Sequence, residues 1–205
     1  MQKKEIAILY PASLADWREW LEKNHQTQES VWLVFYGKKS KMPSLTWRES
    51  VDVALCFGWI DSKKIKIDEE KSHQFFSRRK SNSTWSKINK LKVEHLIESG
   101  LMTEAGYKSI ETAKQNGSWI ILDEVEELSI PLDLETAFAN KPVAKDYFLS
   151  LSKSIRKAML QWIVLAKRPE TRLQRITELV ELAGQNQKPK MFNTYKATSY
   201  DKAPA

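Results

Sequence analysis

Between Ser62 and Lys92 the chain carries ten Lys and Arg residues against three acids, Asp68, Glu69 and Glu70. That excess equals the net charge of +7 carried by all 205 residues. A local basic field of this kind attracts anionic partners. At its centre lies Phe75–Asn89, FFSRRKSNSTWSKIN. Two aromatics lead into three cations, then short hydroxyl side chains, then a helix-like start. A helix N-terminus leaves backbone N–H groups without partners and carries partial positive charge. With Ser83 or Thr84 as N-cap, Arg78, Arg79, Lys80 and Lys87 surround that end. Ser81, Ser83 and Ser86 add short donors. Such a set suits phosphate or carboxylate. Trp85 and Phe76 are either stacking platforms for a base or core residues. The bland reading is a capped helix with a solvated basic shoulder.

A second feature is Gly58-Trp59-Ile60-Asp61, where an apolar run ends on a carboxylate. Asp61 beside bulky neighbours is costly to bury alone, so it requires a partner. Arg78 or Arg79 is the nearest candidate in sequence. This is a structural ion pair or turn cap, or else an acid/base with an arginine clamp for a small anionic substrate.

Other chemistry finds no motif. His25, His73 and His95 lack metal-ligand spacing, and Cys56 has no second cysteine to pair with. No nucleophile elbow, phosphate-binding loop or dinucleotide fingerprint occurs among the six scattered glycines. No catalytic residue, metal or cofactor is therefore assigned, and a binding role is favoured over an enzymatic one.

The elements that must position these residues are read from pattern. Ser13 and Asp16 open a helix with Leu14, Trp17 and Leu21 on one face. Val31–Tyr36 reads as a strand covered on both faces. Thr46 and Glu49 open a second helix, lined by Trp47, Val51, Ala54, Leu55 and Gly58. Lys63–Ile67 and His73–Arg78 form a hairpin around Asp68–Lys71. Helices follow over Trp85–Ser99 and Glu104–Asn116, closed by Gly100 and Gly117. Ile121–Asn140 contains six acids and no Lys or Arg, and reads as an acidic linker. Beyond it Ile155–Ala166 and Pro169–Ala183 are amphipathic helices, with Leu173, Ile176, Leu179, Val180 and Ala183 on the apolar face of the second. The fold class is α+β, with a small antiparallel sheet and helices followed by an all-helical part. The expected parts are 1–122, 123–187 and a mobile tail over 188–205.

The apolar content of 41% and charged content of 29% suit a soluble globular protein. No apolar run is long enough to span a bilayer, and Ile6–Tyr10 is too brief for a secretory signal. With one cysteine, Cys56, these features favour the cytoplasm.

The ordered segments Leu55–Asp61, Phe75–Asn89, Glu98–Thr103, Gly117–Trp119 and Gln161–Arg172 resemble the YdeI/OmpD-associated family of bacterial proteins. The resemblance runs from about Trp17 to Gln187. Members tend to have Gly where this chain has Ser62, and often proline near Arg78 and Ser81. The resemblance implies a role in tolerance of bacteriocins or other antimicrobial peptides and no established catalytic residues. Bound partners compatible with the basic segment are a phosphate-bearing ligand, nucleic acid or a protein. Cationic peptides would be repelled by Ser62–Lys92, which turns attention to the acidic Asp123–Glu135 stretch.

Overall fold

The computed structural model describes residues 5–193, and the expected mobile tail lies outside them from residue 194 onward. The chain divides into two compact units. Unit 1 comprises residues up to Thr84 together with Asn89–Trp119, and unit 2 comprises Trp85–Ile88 together with everything from Ile120.

In unit 1, strands β1 (Ile8–Leu9), β2 (Ser30–Tyr36), β3 (Trp59–Lys66) and β4 (Lys71–Arg78) form one sheet in the order β1-β2-β4-β3. The β1 pairing is parallel and the others are antiparallel. Helices α1 (Leu14–Asn24) and α2 (Trp47–Cys56) each begin with a capping box, Ser13 with Asp16 and Thr46 with Glu49. Each box satisfies two otherwise orphaned N–H groups. The two helices press Trp17, Leu21, Val51, Ala54 and Leu55 against the sheet. Across the strands, Val31 pairs with Phe76 and Phe76 with Asp61. That row faces the helices: Trp17 meets Phe76 edge-on at 5.5 Å between centroids, and Trp47 bonds Asp61. Burying each large apolar side chain of this kind contributes roughly 1.5–3 kcal/mol.

The alternating row faces away. Trp32 and Tyr36 are only half-buried and Ile8 is 62% exposed. Strand β2 is thus packed by helices on one face, not two as its apolar run suggested. Its aromatic side chains on the second face shield one another, which the run alone does not distinguish from coverage by a helix.

Helices α3 (Lys87–Glu98) and α4 (Glu104–Gln115) complete the first half of the sequence. Gly58 turns the chain from α2 into β3 at φ +68°, a conformation that side-chain-bearing residues disfavour. Thr103 Oγ1 donates to the Cys56 carbonyl at 2.6 Å, and Gly106 brings the α4 backbone against that same carbonyl.

Unit 2 contains α5 (Asp123–Glu126), α6 (Leu132–Ala139), α7 (Pro142–Ser150), α8 (Lys153–Val164) and α9 (Pro169–Ala183). The segment expected as an acidic linker is therefore two helices. Leu134 and Phe138 of α6 are fully buried, and they join Phe148, Met159, Leu160, Ile163, Ile176 and Leu179 in one core. Pro142 and Pro169 occupy first-turn positions, where a missing N–H costs nothing. Phe192, in a short 3-10 turn over Lys190–Phe192, is buried against Trp162 at 5.7 Å. The start of the expected tail is thus anchored.

A Cβ on Gly106 would lie 2.4 Å from the Cys56 carbonyl oxygen and 2.3 Å from the Met102 sulfur. Met102 can move; the α2 backbone cannot without shifting the sheet contact. Gly106→Ala is expected to lower the unfolding free energy by about 1–3 kcal/mol despite alanine's better helix propensity. Urea denaturation followed by circular dichroism checks this, and an unchanged midpoint would contradict the tight approach.

Candidate functional site

The basic stretch is built as a strand end and a tight turn. Phe76 is fully buried and Trp85 is 1% exposed, so both belong to the interior and neither offers a ring to a base. The Arg78 guanidinium donates to the carbonyls of Gln26 (2.7 Å) and Gln28 (2.9 Å), pinning the turn after α1. Arg79 donates through Nη1 to Ser83 Oγ and to the Thr84 carbonyl, both at 3.2 Å. Ser83 N closes a turn on the Lys80 carbonyl at 2.9 Å. Asn116 donates to the Ser81 carbonyl at 2.8 Å. The turn is thus held by its own side chains, with Lys80 exposed.

Helix α3 begins at Lys87, later than a cap at Ser83 or Thr84 would place it, with Ser86 immediately before it. Its first N–H is already met: Lys87 N donates to Glu126 Oε1 at 3.2 Å. Glu126 Oε2 lies 2.7 Å from Lys157 Nζ, and Lys87 Nζ lies 2.9 Å from Glu127. The pairing with Glu127 raises the Lys87 pKa. The expected anion at this helix end is present as the chain's own carboxylate. Arg78, Arg79, Lys80, Ser83, Thr84 and Asp61 fall in unit 1, while Trp85, Ser86 and Lys87 group with unit 2.

Asp61 is 7% exposed. Trp47 Nε1 donates to its Oδ2 at 2.8 Å, and Gln74 Nε2 to the same oxygen at 3.0 Å. Gln74 also reaches the Ser62 carbonyl at 3.4 Å. Neither donor was foreseen, because they come from α2 and from β4 across the ladder. The polar residue Gln74 among core-facing neighbours was the available signal.

The outward face of the sheet carries a second constellation. Trp32 and Phe75 are cross-strand partners in T-shaped contact, with centroids 4.9 Å apart. Lys63 Nζ lies 5.2 Å from the Trp32 ring and 5.5 Å from Phe75. His73 sits in the next row, between Val34 and Ile65. Burial chiefly, then the Lys71 charge, pushes its imidazole pKa below the ordinary value, against a smaller opposing effect of Asp68.

In unit 2 the acids expected to capture cations are largely spent inside the fold. Besides Glu126 and Glu127, Asp133 makes a two-pronged pair with Arg172 (2.6 and 2.9 Å), and Glu135 bonds Lys145. The Arg172 guanidinium holds the Asp133 carboxyl below the usual carboxylate range. Helix α9 differs. Its Ile176, Leu179, Val180 and Ala183 are buried, but Leu173, expected among them, is 66% exposed. Leu173 lines two grooves, one of about 480 Å³ against α6 and one of about 610 Å³ along α9. Glu170, Glu178 and Glu181 border the second groove. No ion pair is formed by these three acids among the described residues. Their spacing around Leu173 in the sequence was a readable sign that this leucine sits on a polar face.

These two architectures match two families. Residues 9–109 match a domain of unknown function (DUF8412), and residues 127–186 match the family described as Bacteriocin-protection, YdeI or OmpD-Associated. No curated protein and no solved structure matches the chain. The second match falls on the helices of unit 2. Over residues 127–186 the chain is similar to the YdeI/OmpD-associated family. The Gly58–Asp61 and Phe75–Asn89 segments fall instead within the DUF8412 match.

Two outcomes test this geometry. Replacing Glu126 leaves the α3 N–H and the Lys157 ammonium with a weaker acceptor, so Glu126→Gln should cost about 1–2 kcal/mol of stability in denaturant titration. Unchanged stability would show that the carboxylate does not secure the helix start. For His73, a folded pKa below the unfolded value means that the unfolded state binds the proton first. Its stabilising contribution is full above pH 6.5 and is lost as pH falls from there through the folded pKa. A His73→Gln variant should flatten the melting temperature across that window relative to the parent.

Proposed function

We propose that this protein acts by binding, in the cytoplasm, in tolerance of bacteriocins or related antimicrobial peptides, and that the outer face of α9 receives the peptide. The observation that carries this reading is the exposed Leu173 between two grooves, bordered by Glu170, Glu178 and Glu181, inside the segment that matches the bacteriocin-protection family. A cationic amphipathic helix lays apolar side chains at spacings of three and four into such a groove. Its Lys and Arg side chains then meet the bordering carboxylates, which steer the encounter and set its orientation. The basic segment of unit 1 has the wrong sign for this task, and the acidic stretch of α5 and α6 is engaged in internal pairs. A second reading, an anionic ligand at the basic turn of unit 1, draws on the exposed Lys80.

Calorimetric titration of the full chain with a Lys/Leu amphipathic helical peptide, and with the same peptide carrying Glu for Lys, checks the first reading. The cationic peptide should bind at low salt and the anionic one should not. A double variant, Glu178→Lys with Glu181→Lys, should weaken binding by roughly tenfold, about 1.4 kcal/mol. Equal affinity for both peptides, or no effect of the charge reversal, rejects α9 as the receiving surface. A deletion strain whose sensitivity to a panel of bacteriocins and cationic peptides is unchanged rejects the tolerance role itself.

A further inference from the structure

We infer that the outward face of the unit 1 sheet binds single-stranded nucleic acid, with bases stacked on Trp32 and Phe75 and phosphates held by the lysines around them. This surface is separate from α9 and does not depend on the peptide-binding reading.

The first support is the placement of the rings. Trp32 on β2 and Phe75 on β4 are directly paired and half-buried, on the face opposite α1 and α2. Ile8 extends this row at 62% exposure, and Ile65 flanks the next at 40%. Trp32 and Phe75 meet edge to face with centroids 4.9 Å apart, and stacking on an aromatic ring tolerates any sequence because every base has a π-face.

The second support is charge. Lys63 Nζ lies over both rings, so a base stacking there displaces it, and the displaced ammonium stays within side-chain reach of that nucleotide's phosphate. Lys63 is exposed and forms no ion pair among the described residues. Lys71 shares the row of Tyr36 at one end of the face. Beyond that end the exposed Lys38, Lys39 and Lys41 continue the positive track. Lys63, Lys71 and the three loop lysines border this side of the sheet, with Lys71 paired to Asp68, whereas Lys64 and Lys66 lie opposite Gln74 and Ser72 in the rows that face the helices. An apolar protein partner would be expected to meet fewer lysines, which are depleted from interface cores. The combination of aromatic rings and a largely unpaired cationic rim favours a polyanion with planar bases.

Fluorescence anisotropy of the full chain with a short labelled oligouridine, its DNA counterpart and a duplex of the same length tests the inference. Binding at low salt should favour the single strands, and log affinity should fall with log salt by about 0.7 per phosphate contacted. Phe75→Leu keeps apolar bulk and loses the stacking face, so it should weaken binding about fivefold or more. Lys63→Ala, at an exposed position, should weaken binding and reduce the salt slope by about 0.7 even if the first variant folds poorly. Absence of binding at low salt overturns the inference. So does equal affinity for single strand and duplex with Phe75→Leu unchanged, which defines a charge-only surface. Equally tight binding of polyglutamate, with Phe75→Leu again neutral, points to an acidic protein partner and overturns it as well.

Discussion

A carboxylate cannot be buried without donors, and in unit 1 that requirement fixes how a helix meets the sheet. Asp61 lies on the edge strand β3, beneath α2. The Trp47 indole reaches it from the first residue of α2, and the Gln74 amide reaches it across the β4 ladder. One oxygen atom thereby ties a helix start, an edge strand and a central strand. The cost of leaving any of these groups unsatisfied in the interior is larger than the gain from a single exposed hydrogen bond. The register of β3 on β4, including its bulge between Asp61 and Lys64, is the geometry that lets both donors arrive. The bulge also shifts Lys63 out of strict alternation, onto the side of the Trp32 and Phe75 rings.

Charge is handled differently in the two units. In unit 2 opposite signs are matched: Asp133 with Arg172, Glu135 with Lys145 and Glu126 with Lys157 join segments distant in sequence. Partly exposed pairs of this type contribute modestly to stability, but they select one arrangement of short helices over others. The three acids of α9 stand outside that matching. In unit 1 the excess is positive and several lysines are unmatched around the outward sheet face. Surface charge without an internal partner carries a repulsive cost, and both places combine it with exposed apolar or aromatic groups.

Local signals in the sequence were read well where the physics is local. Both capping boxes, the strand cores, the hairpin and the glycine-terminated helices follow from hydrogen-bond needs within a few residues, and the α+β class follows from their order. The misreadings have a common origin in long-range pairing. Ile121–Asn140 looked like a linker because its acids dominate, but Leu134 and Phe138 recur at helical spacing and supply a core once other helices cover them. Val31–Tyr36 looked doubly covered because all its residues are apolar. The cap of α3 was sought at Ser83 or Thr84 because hydroxyls fit there, whereas a carboxylate from Glu126 meets the first N–H of the helix. For Asp61 the sequence showed the need for a partner but not that Trp47 and Gln74 would serve.

The boundary between the units is not a single cut in the sequence. Trp85–Ile88 group with the later half, although they precede the rest of α3, which groups with the first. Helix α3 thus begins in the segment that groups with unit 2 and continues in the segment that groups with unit 1. A fragment starting at Ile120 lacks Trp85, and a fragment ending at Trp119 retains a buried tryptophan whose own unit is gone. Neither half is a transplantable module in the ordinary sense. A cut between Trp119 and Ile120 therefore separates Trp85–Ile88 from the unit they group with.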